Sequence, residues 1–287
     1  MTLEQLRIFV AVAEREHVTL GARDLNLTQS ATSAAIAALE ARHAARLFDR
    51  VGRGIALTDA GRIFLAEARA VLARAAAAEA VLADLSGLKR GALSIAASQT
   101  VGSYWLPQRL GAFRTRYPGI EVSVEIGNTR FVAGRVRDGS VDLGIVEGAV
   151  EDRLLEVTTV GEDEMVLVVG TQHPWATGAS GTRDLAATNW VVRERGSGTR
   201  AIFDALTAGS DAAALHMLEL PANEAVRGAV IAGAGAAILS RLVVADALAL
   251  DQLVEVSHPL PPRSFYALTH KERHQTRAAA EFRLMLD

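Results

Sequence analysis

The sequence predicts a multidomain α+β chain: an N-terminal winged helix-turn-helix, a long linker helix, and a C-terminal two-lobed α/β module. Three observations predict it. The stretch Val18 to Ala37, VTLGARDLNLTQSATSAAIA, reads as two short helices around a tight turn. Residues 59–85 form an alanine-dominated run with no proline and no glycine after Gly61, which favours one uninterrupted helix. From residue 91 onward, short β-rich segments alternate with helical ones in two successive sets, the signature of an open α/β layer repeated twice.

In the N-terminal part, Leu3, Leu6, Phe9, Val10 and Ala13 recur every three or four residues and give a first helix one apolar face. A second helix is expected from about Thr19 to Leu25, with Thr19 as its cap and Ala22 and Leu25 facing inward. Asn26 and Leu27 make the turn, because asparagine tolerates the left-handed conformation that ends a helix. Thr28 then caps a third helix whose first turns carry Gln29, Ser30, Thr32 and Ser33, with the motif closing at Ala37. When such a helix enters the major groove, these groups meet base edges and phosphates. Taken alone, the same pattern also fits an ordinary helical hairpin with a polar outer face.

Arg46 to Thr58 reads as a strand, a turn at Gly52 to Gly54, and a second strand at Ile55 to Leu57. Arg53 sits between two glycines at the tip of this wing, where the backbone can approach DNA closely and a guanidinium can enter the minor groove or bind phosphate. Arg50 is a second phosphate candidate, with pairing to Asp49 or Glu40 as its alternative use.

Charge alone does not announce a nucleic-acid binder. The chain has 30 lysines and arginines against 33 carboxylates, and residues 1–58 hold seven arginines against six carboxylates. A single head would bind DNA weakly, since phosphate neutralisation supplies much of the affinity, and two or more linked copies would make up the deficit. The linker supplies a means of linking them. Phe64, Ala68, Val71, Ala75, Ala78, Leu82 and Leu85 alternate in steps of four and three, a heptad seam on a helix of roughly 38 Å that can pair with its counterpart in a second chain. The competing use of the seam is to lie on its own domain. Ser86, Gly87, Lys89 and Gly91 end the helix.

In the α/β module, Ala92–Ala96, Glu121–Glu125 and Asp142–Val146 are strands separated by helices over Trp105–Tyr117 and Thr129–Asp138, implying parallel strands. The second set comprises MVLVV, a helix near Arg183, WVVRE, a helix from Thr199, a helix from Glu224 through Gly233, and a strand at Ala237–Leu239. Ligands of such sheets lie beyond the carboxyl ends of strands, where helix N-termini point. Two segments fit that description: Ser98-Gln99-Thr100 after the first strand, and Ser197-Gly198-Thr199-Arg200 after WVVRE. Both offer hydroxyls and N–H groups at a positive dipole end, which suits an anion. Ser98, Thr100, Ser197 and Thr199 are the leading ligands, Gln99 and Arg200 follow, and Asn128 and Glu147 complete the cleft rim. Singly, each reads more readily as a helix cap than as a ligand; two facing sites favour the ligand reading.

Several functions are disfavoured. There is no cysteine, hence no disulfide, thiolate metal site or thiol redox sensor. No run of eighteen apolar residues and no signal-peptide core is read, so a cytoplasmic bacterial protein without membrane partners is expected. Gly233-Ala234-Gly235 lacks the third glycine and the strand context of a dinucleotide site. His270 and His274 have helical spacing but lie among Lys271, Arg273 and Arg277, which fits a solvated face better than a metal site. With no recognisable nucleophilic set, the chain is not read as an enzyme, and neither metal nor cofactor is expected. The alternative is a soluble α/β solute-binding or enzymatic protein with an incidental helical head; an export segment would be expected for the former.

Leu3 to Arg62 resembles the DNA-binding domain of LysR-type transcriptional regulators along its whole length. The resemblance is carried by Leu3, Leu6, Phe9 and Val10, by Leu27-Thr28-Gln29-Ser30-Ala31, by Leu39-Glu40, and by Leu47-Phe48-Asp49-Arg50 through Leu57-Thr58-Asp59-Ala60-Gly61. Ala34 and Ala35 depart from it, standing where that family usually has a long polar or basic residue. LPQRLGAFRTRYPGIEVSVEIGN, VDLGIVEG and GAGAAILSRLVV resemble the effector-binding domain of the same family, which is itself similar to periplasmic binding proteins. The resemblance implies a DNA-binding domain over residues 1–58, a linker and dimerisation helix over 59–88, and an effector domain over 91–287. Within the last, lobe I takes about 91–161 and 265–287, lobe II about 162–264, and the chain returns to lobe I near Ser264–Thr269. Implied partners are promoter DNA, further copies as a dimer and a homotetramer (a dimer of dimers), and RNA polymerase. ASQT and GSGTR also resemble a branch answering to small oxyanions and sulfur metabolism, with regulators of carbon fixation nearby. An oxyanion or small carboxylate effector follows from that likeness.

Overall fold

A computed structural model describes residues 1–52, 54–84, 91–177, 185, 187–208 and 216–286, with the backbone alone for 77 and 80–84. The chain divides into two units, the first built on Met1–Leu85 and the second on the residues that follow.

In the first unit, α1 (Leu3–Arg15) opens with a capping box: the Thr2 side chain accepts from the Gln5 N–H, and the Gln5 side chain accepts from the Thr2 N–H. α1 buries two faces, not one stripe. Leu6, Phe9 and Ala13 pack with Leu39, Leu47 and Ala68, while Ile8 and Val12 pack with Ile36. Leu3 is left 40% exposed. α2 (Val18–Asp24) begins one residue before the expected Thr19, and His17, without a side-chain bond, occupies the cap position. Its approach to α1 needs Gly21, where a Cβ would stand 2.8 Å from the Val12 Cα. Asn26 takes φ +55°, the left-handed turn read from its residue type. α3 (Gln29–His43) is capped by Thr28, whose hydroxyl accepts from the Ala31 N–H at 3.2 Å. The helix runs through Ala37 to His43, because Ala37, Ala38, Leu39, Glu40 and Ala41 are strong helix formers and no glycine or proline interrupts them.

The wing is a two-residue hairpin of β1 (Phe48–Val51) and β2 (Gly54–Leu57), with Val51 opposite Gly54 and Gly52 at φ +58°. Glu40 of α3 anchors it, accepting from the N–H groups of Leu47 at 2.7 Å and Phe48 at 3.2 Å. That carboxylate is therefore engaged and does not pair with Arg50.

α4 (Asp59–Asp84) runs 26 residues, close to the expected length. Its seam is divided. Ala68 is buried and Phe64 half-buried against the same unit's core, together with Leu65 and Leu72, whereas Val71 and Ala78 face outward. Part of the seam is thus used within its own unit, and Val71 and Ala78 are left exposed. The Leu82 side chain, all of Leu85 and the expected break at 86–89 lie outside the described residues.

The second unit holds two five-stranded sheets, as expected for two lobes. The lobe I sheet comprises β3 (Gly91–Ser98), β4 (Ile120–Gly127), β5 (Leu143–Glu147), β6 (Leu155–Asp163) and β12 (Arg263–His270), in the order β4-β3-β5-β12-β6. A π-helical turn (Val101–Trp105) leads into α5 (Leu106–Arg116), which with α10 (Arg277–Leu284) covers one face, and α6 (Thr129–Arg137) covers the other. The lobe II sheet has the order β11-β7-β10-β8-β9, from β7 (Met165–Gly170), β8 (Asn189–Arg193), β9 (His216–Leu220), β10 (Ala236–Ser240) and β11 (Leu253–Val256). α8 (Asn223–Ile231) and α9 (Arg241–Ala249) pack on one side, and α7 (Gly198–Leu206) on the other through Phe203 against Trp190.

The all-parallel expectation holds only for β4-β3-β5 and β10-β8-β9. β6, β7, β11 and β12 lie antiparallel to neighbours because the chain passes between lobes there without a helical crossover, which parallel pairing would require. β12 is the expected return to lobe I. The helix expected near Arg183 lies outside the described residues.

Candidate functional site

On the head, the third helix presents Gln29, Ser30 and Ser33 to solvent, with Thr28 at its exposed start. Thr32 is corrected: it is fully buried, on the same side of α3 as Ile36 and Leu39, and its hydroxyl has no partner among the described residues. It is a core residue, not one on the reading face. Ala37 is exposed on α3 beyond the opening turns, and its methyl group offers no donor or acceptor to a base edge, so it extends the helix without reading sequence. Arg50 is exposed on β1 and makes no ion pair among the described residues. Arg53 lies outside them.

The two polar segments of the second unit converge where the lobes meet. Glu147, expected on the rim, is instead buried at the centre, only 2% exposed. It hydrogen-bonds the Ser98 hydroxyl and accepts from Thr100 Oγ1 at 3.3 Å, while Thr129 Oγ1 donates to its carbonyl at 2.8 Å. Burial pushes the Glu147 carboxyl above the ordinary range, opposed by the charge of Arg263, whose Nη1 lies 4.0 Å away. Arg263, at the start of β12, donates from Nη1 to Thr199 Oγ1 at 2.9 Å and from Nε to Asp163 at 2.9 Å, and Asp163 also accepts from Ser240 Oγ at 2.7 Å. One guanidinium therefore ties the strand that returns to lobe I to α7 of lobe II.

Other bonds close both edges of the cleft. Along one edge, Gln99 donates to the Pro221 carbonyl at 2.8 Å and accepts from the Asn223 N–H at 3.0 Å. The Asn223 amide donates to Thr100 Oγ1 at 3.1 Å, and Arg193 donates to the Asn223 side chain. Tyr104 hydrogen-bonds Glu224, and burial with that bond pushes the phenol up to about 12. Along the other edge, Asn128 caps α6 at the Phe131 N–H (2.9 Å) and donates to Glu194 of lobe II at 3.2 Å. A Cβ on Gly198 would stand 2.2 Å from the Glu147 carbonyl oxygen, so only glycine allows this approach.

The structure thus brings Ser98, Gln99, Thr100, Asn128, Glu147, Ser197, Gly198 and Thr199 together, but it separates Arg200 from them. The Arg200 guanidinium is held within lobe II by Asp204 (2.7 Å), Glu219 (2.8 Å) and the Arg193 carbonyl (3.1 Å). Of the four leading hydroxyls, Ser98, Thr100 and Thr199 are engaged, and Ser197 has no partner among the described residues. Sequence reasoning missed Asp163, Arg193, Asn223 and Arg263. No spacing marked them: Asp163, Arg193 and Arg263 stand at strand ends and Asn223 opens α8, and only tertiary packing brings them together. A cavity of about 720 Å³ opens beside this network between α6 and α7, lined in part by Thr129, Arg130, Arg195, Ser197 and Phe203.

Among the described residues no helix is long and apolar enough to cross a membrane, and no group of three or more metal-ligating side chains is found.

Residues 3–62 match the family described as bacterial regulatory helix-turn-helix protein, lysR family, and residues 86–287 match the LysR substrate binding domain. The chain is 35% identical over 98% of its length, and 96% of the relative's, to the uncharacterised HTH-type transcriptional regulator YeiE of Escherichia coli K12. It is 36% identical to a probable RuBisCO transcriptional regulator of Cyanidioschyzon merolae, covering 98% and 96% of the two chains. Among solved structures, the regulatory domain of Synechocystis PCC6803 CcmR in complex with 2-PG aligns with 69% of this chain and 96% of its own, at 27% identity and a TM-score of 0.61. The chain belongs to the LysR family: it is a DNA-binding transcriptional regulator, not an enzyme, with a ligand-binding domain joined to its helix-turn-helix head.

Proposed function

We propose that this regulator's hold on promoter DNA, or its activating power there, is set by a small anionic effector bound between the lobes. It would act as a dimer paired through α4, and as a dimer of dimers, with RNA polymerase as a further partner in a bacterial cytoplasm. Gln29, Ser30, Ser33, Arg50 and Arg53 would face the DNA, with Thr28 capping the reading helix. The observation that carries the effector reading is the meeting of donors from both lobes in one cleft at helix N-termini, with Ser197 left unpartnered. The 2-PG bound by the CcmR regulatory domain, a small phosphorylated acid, supports the same class.

The coupling is a population shift. A ligand that touches both lobes favours their closed packing and thereby changes how paired copies space their heads. Mobility-shift assays on the chain's own upstream DNA, at stated salt, are expected to show a retarded, sequence-preferring complex whose stability or mobility changes when an anion that raises the protein's melting temperature is added. A complex indifferent to every such anion contradicts the effector reading.

A further inference from the structure

The buried hydroxyl network is poorly suited to hold an incoming charge, since Ser98 and Thr100 already serve the Glu147 carboxylate and Thr199 serves Arg263. The cavity between α6 and α7 differs. Ser197 lines it, is only 4% exposed, and has a hydroxyl with no hydrogen-bond partner among the described residues. It is also the N-cap of the nine-residue α7 and makes no side-chain cap bond, so the first-turn N–H groups lack their usual acceptor.

Two guanidinium groups stand at the same place. Arg130 of lobe I lies against Gly196, where a Cβ would be 3.3 Å from its Nε and 3.6 Å from its Cζ, and Arg195 of lobe II is the residue before. Neither forms an ion pair among the described residues. Of the carboxylates on the wall, Asp204 is paired with Arg200 at 2.7 Å and Glu147 belongs to the buried network, which leaves Glu151 as the one further carboxylate among the described lining residues, against two guanidinium groups.

Size and lining narrow the ligand. Ala133, Val150, Phe203 and Met217 supply an apolar wall to a space of about 720 Å³. An inorganic tetrahedral ion displaces only a few waters of roughly 30 Å³ each and would leave most of that space, and all of that wall, unused.

We propose that the anchor of the cleft is Ser197 with the α7 N-terminus, Arg130 and Arg195, and that it takes an organic anion. The charged head sits on those donors, and a small hydrocarbon body lies against Ala133, Val150 and Met217. This deepens the anionic-effector reading and rests on it. Because Arg130 comes from lobe I and the other donors from lobe II, the same ligand bridges the lobes.

The test uses the full chain with three probes: inorganic phosphate, 2-phosphoglycolate and phenyl phosphate, followed by melting temperature and titration calorimetry. At least one organic phosphate is expected to bind roughly tenfold more tightly than inorganic phosphate, and Arg130→Ala and Ser197→Ala are each expected to weaken it by about tenfold, the worth of one charge-assisted hydrogen bond. Arg130 is exposed, so its variant should fold, and an unchanged melting temperature without ligand checks this. If binding instead collapses in Ser98→Ala and survives Arg130→Ala, the anion sits among the buried hydroxyls; this assignment falls while the cleft reading stands. Inorganic phosphate binding as tightly as both organic probes overturns the organic class. If no probe binds, the anionic reading falls together with this one.

Discussion

Thr32 and Glu147 are polar residues buried where their type and position suggested exposure. Thr32 carries a fully buried hydroxyl without a partner among the described residues, a state that costs about 1–3 kcal/mol. Thr32→Val keeps the shape and removes the penalty, so the head is expected to gain roughly 1 kcal/mol in denaturant unfolding with DNA affinity retained. Lost DNA binding would return Thr32 to the reading face. The inward position was legible: Thr32, Ile36 and Leu39 are spaced four and three apart, and the hydroxyl distracted from that stripe. Glu147 was legible as a cleft residue but not as a buried one, because Ser98 and Thr100, Thr129, Gly198 and Arg263, which stand against it, come from separate segments. Its raised pKa has a definite sign. Burial makes the folded state bind this proton more tightly than the unfolded state, so stability falls as pH rises from the ordinary carboxylate range through the raised value. Glu147→Gln removes that dependence. The melting temperature of the parent protein is expected to drop relative to Glu147→Gln across that window, and parallel curves would show the carboxyl to be unshifted.

At the level of elements, contacts between segments distant in sequence do the positioning. Glu40 joins α3 to the wing through two N–H groups. It can do so because α3 continues past Ala37, which carries the carboxylate to the wing's first strand. Glu40→Ala leaves both N–H groups without that acceptor, with an expected loss of about 1–3 kcal/mol in head stability and weaker DNA binding through a displaced wing, read by denaturant melts and mobility shift. Gly198 brings α7 against the end of β5 at a distance no side chain permits. Gly198→Ala is expected to hold the lobes apart, giving a larger radius of gyration in solution scattering and no anion-induced rise in melting temperature; unchanged scattering and an intact response would show that the contact does not govern closure. The sequence marked α1 to α8 and the parallel strands β3, β4, β5, β8 and β10, since their periodicity is local, but neither α9 nor α10. It did not mark β6, β9 and β11, whose runs are not set off by turn residues or a clear apolar block, nor the antiparallel pairing, which follows from where the chain crosses between lobes.

For the whole molecule, a scarcely basic head makes multivalency necessary, and α4 divides its residues accordingly. Phe64, Leu65, Ala68 and Leu72 serve its own unit, whereas Val71 and Ala78 face outward, where the proposed pairing with a second copy would use them. The division was foreshadowed by the heptad seam, although which rungs went to which use depended on α1 packing beside it. The central claim is that an anion in the cleft alters how the assembled heads engage DNA. Footprinting of full-length protein on its own upstream DNA, with and without an organic phosphate that calorimetry shows to bind, tests it most directly. The account predicts a protected stretch that changes in length or strength when the anion is added, and no change in Gly198→Ala. An identical footprint with the cleft empty and filled contradicts it.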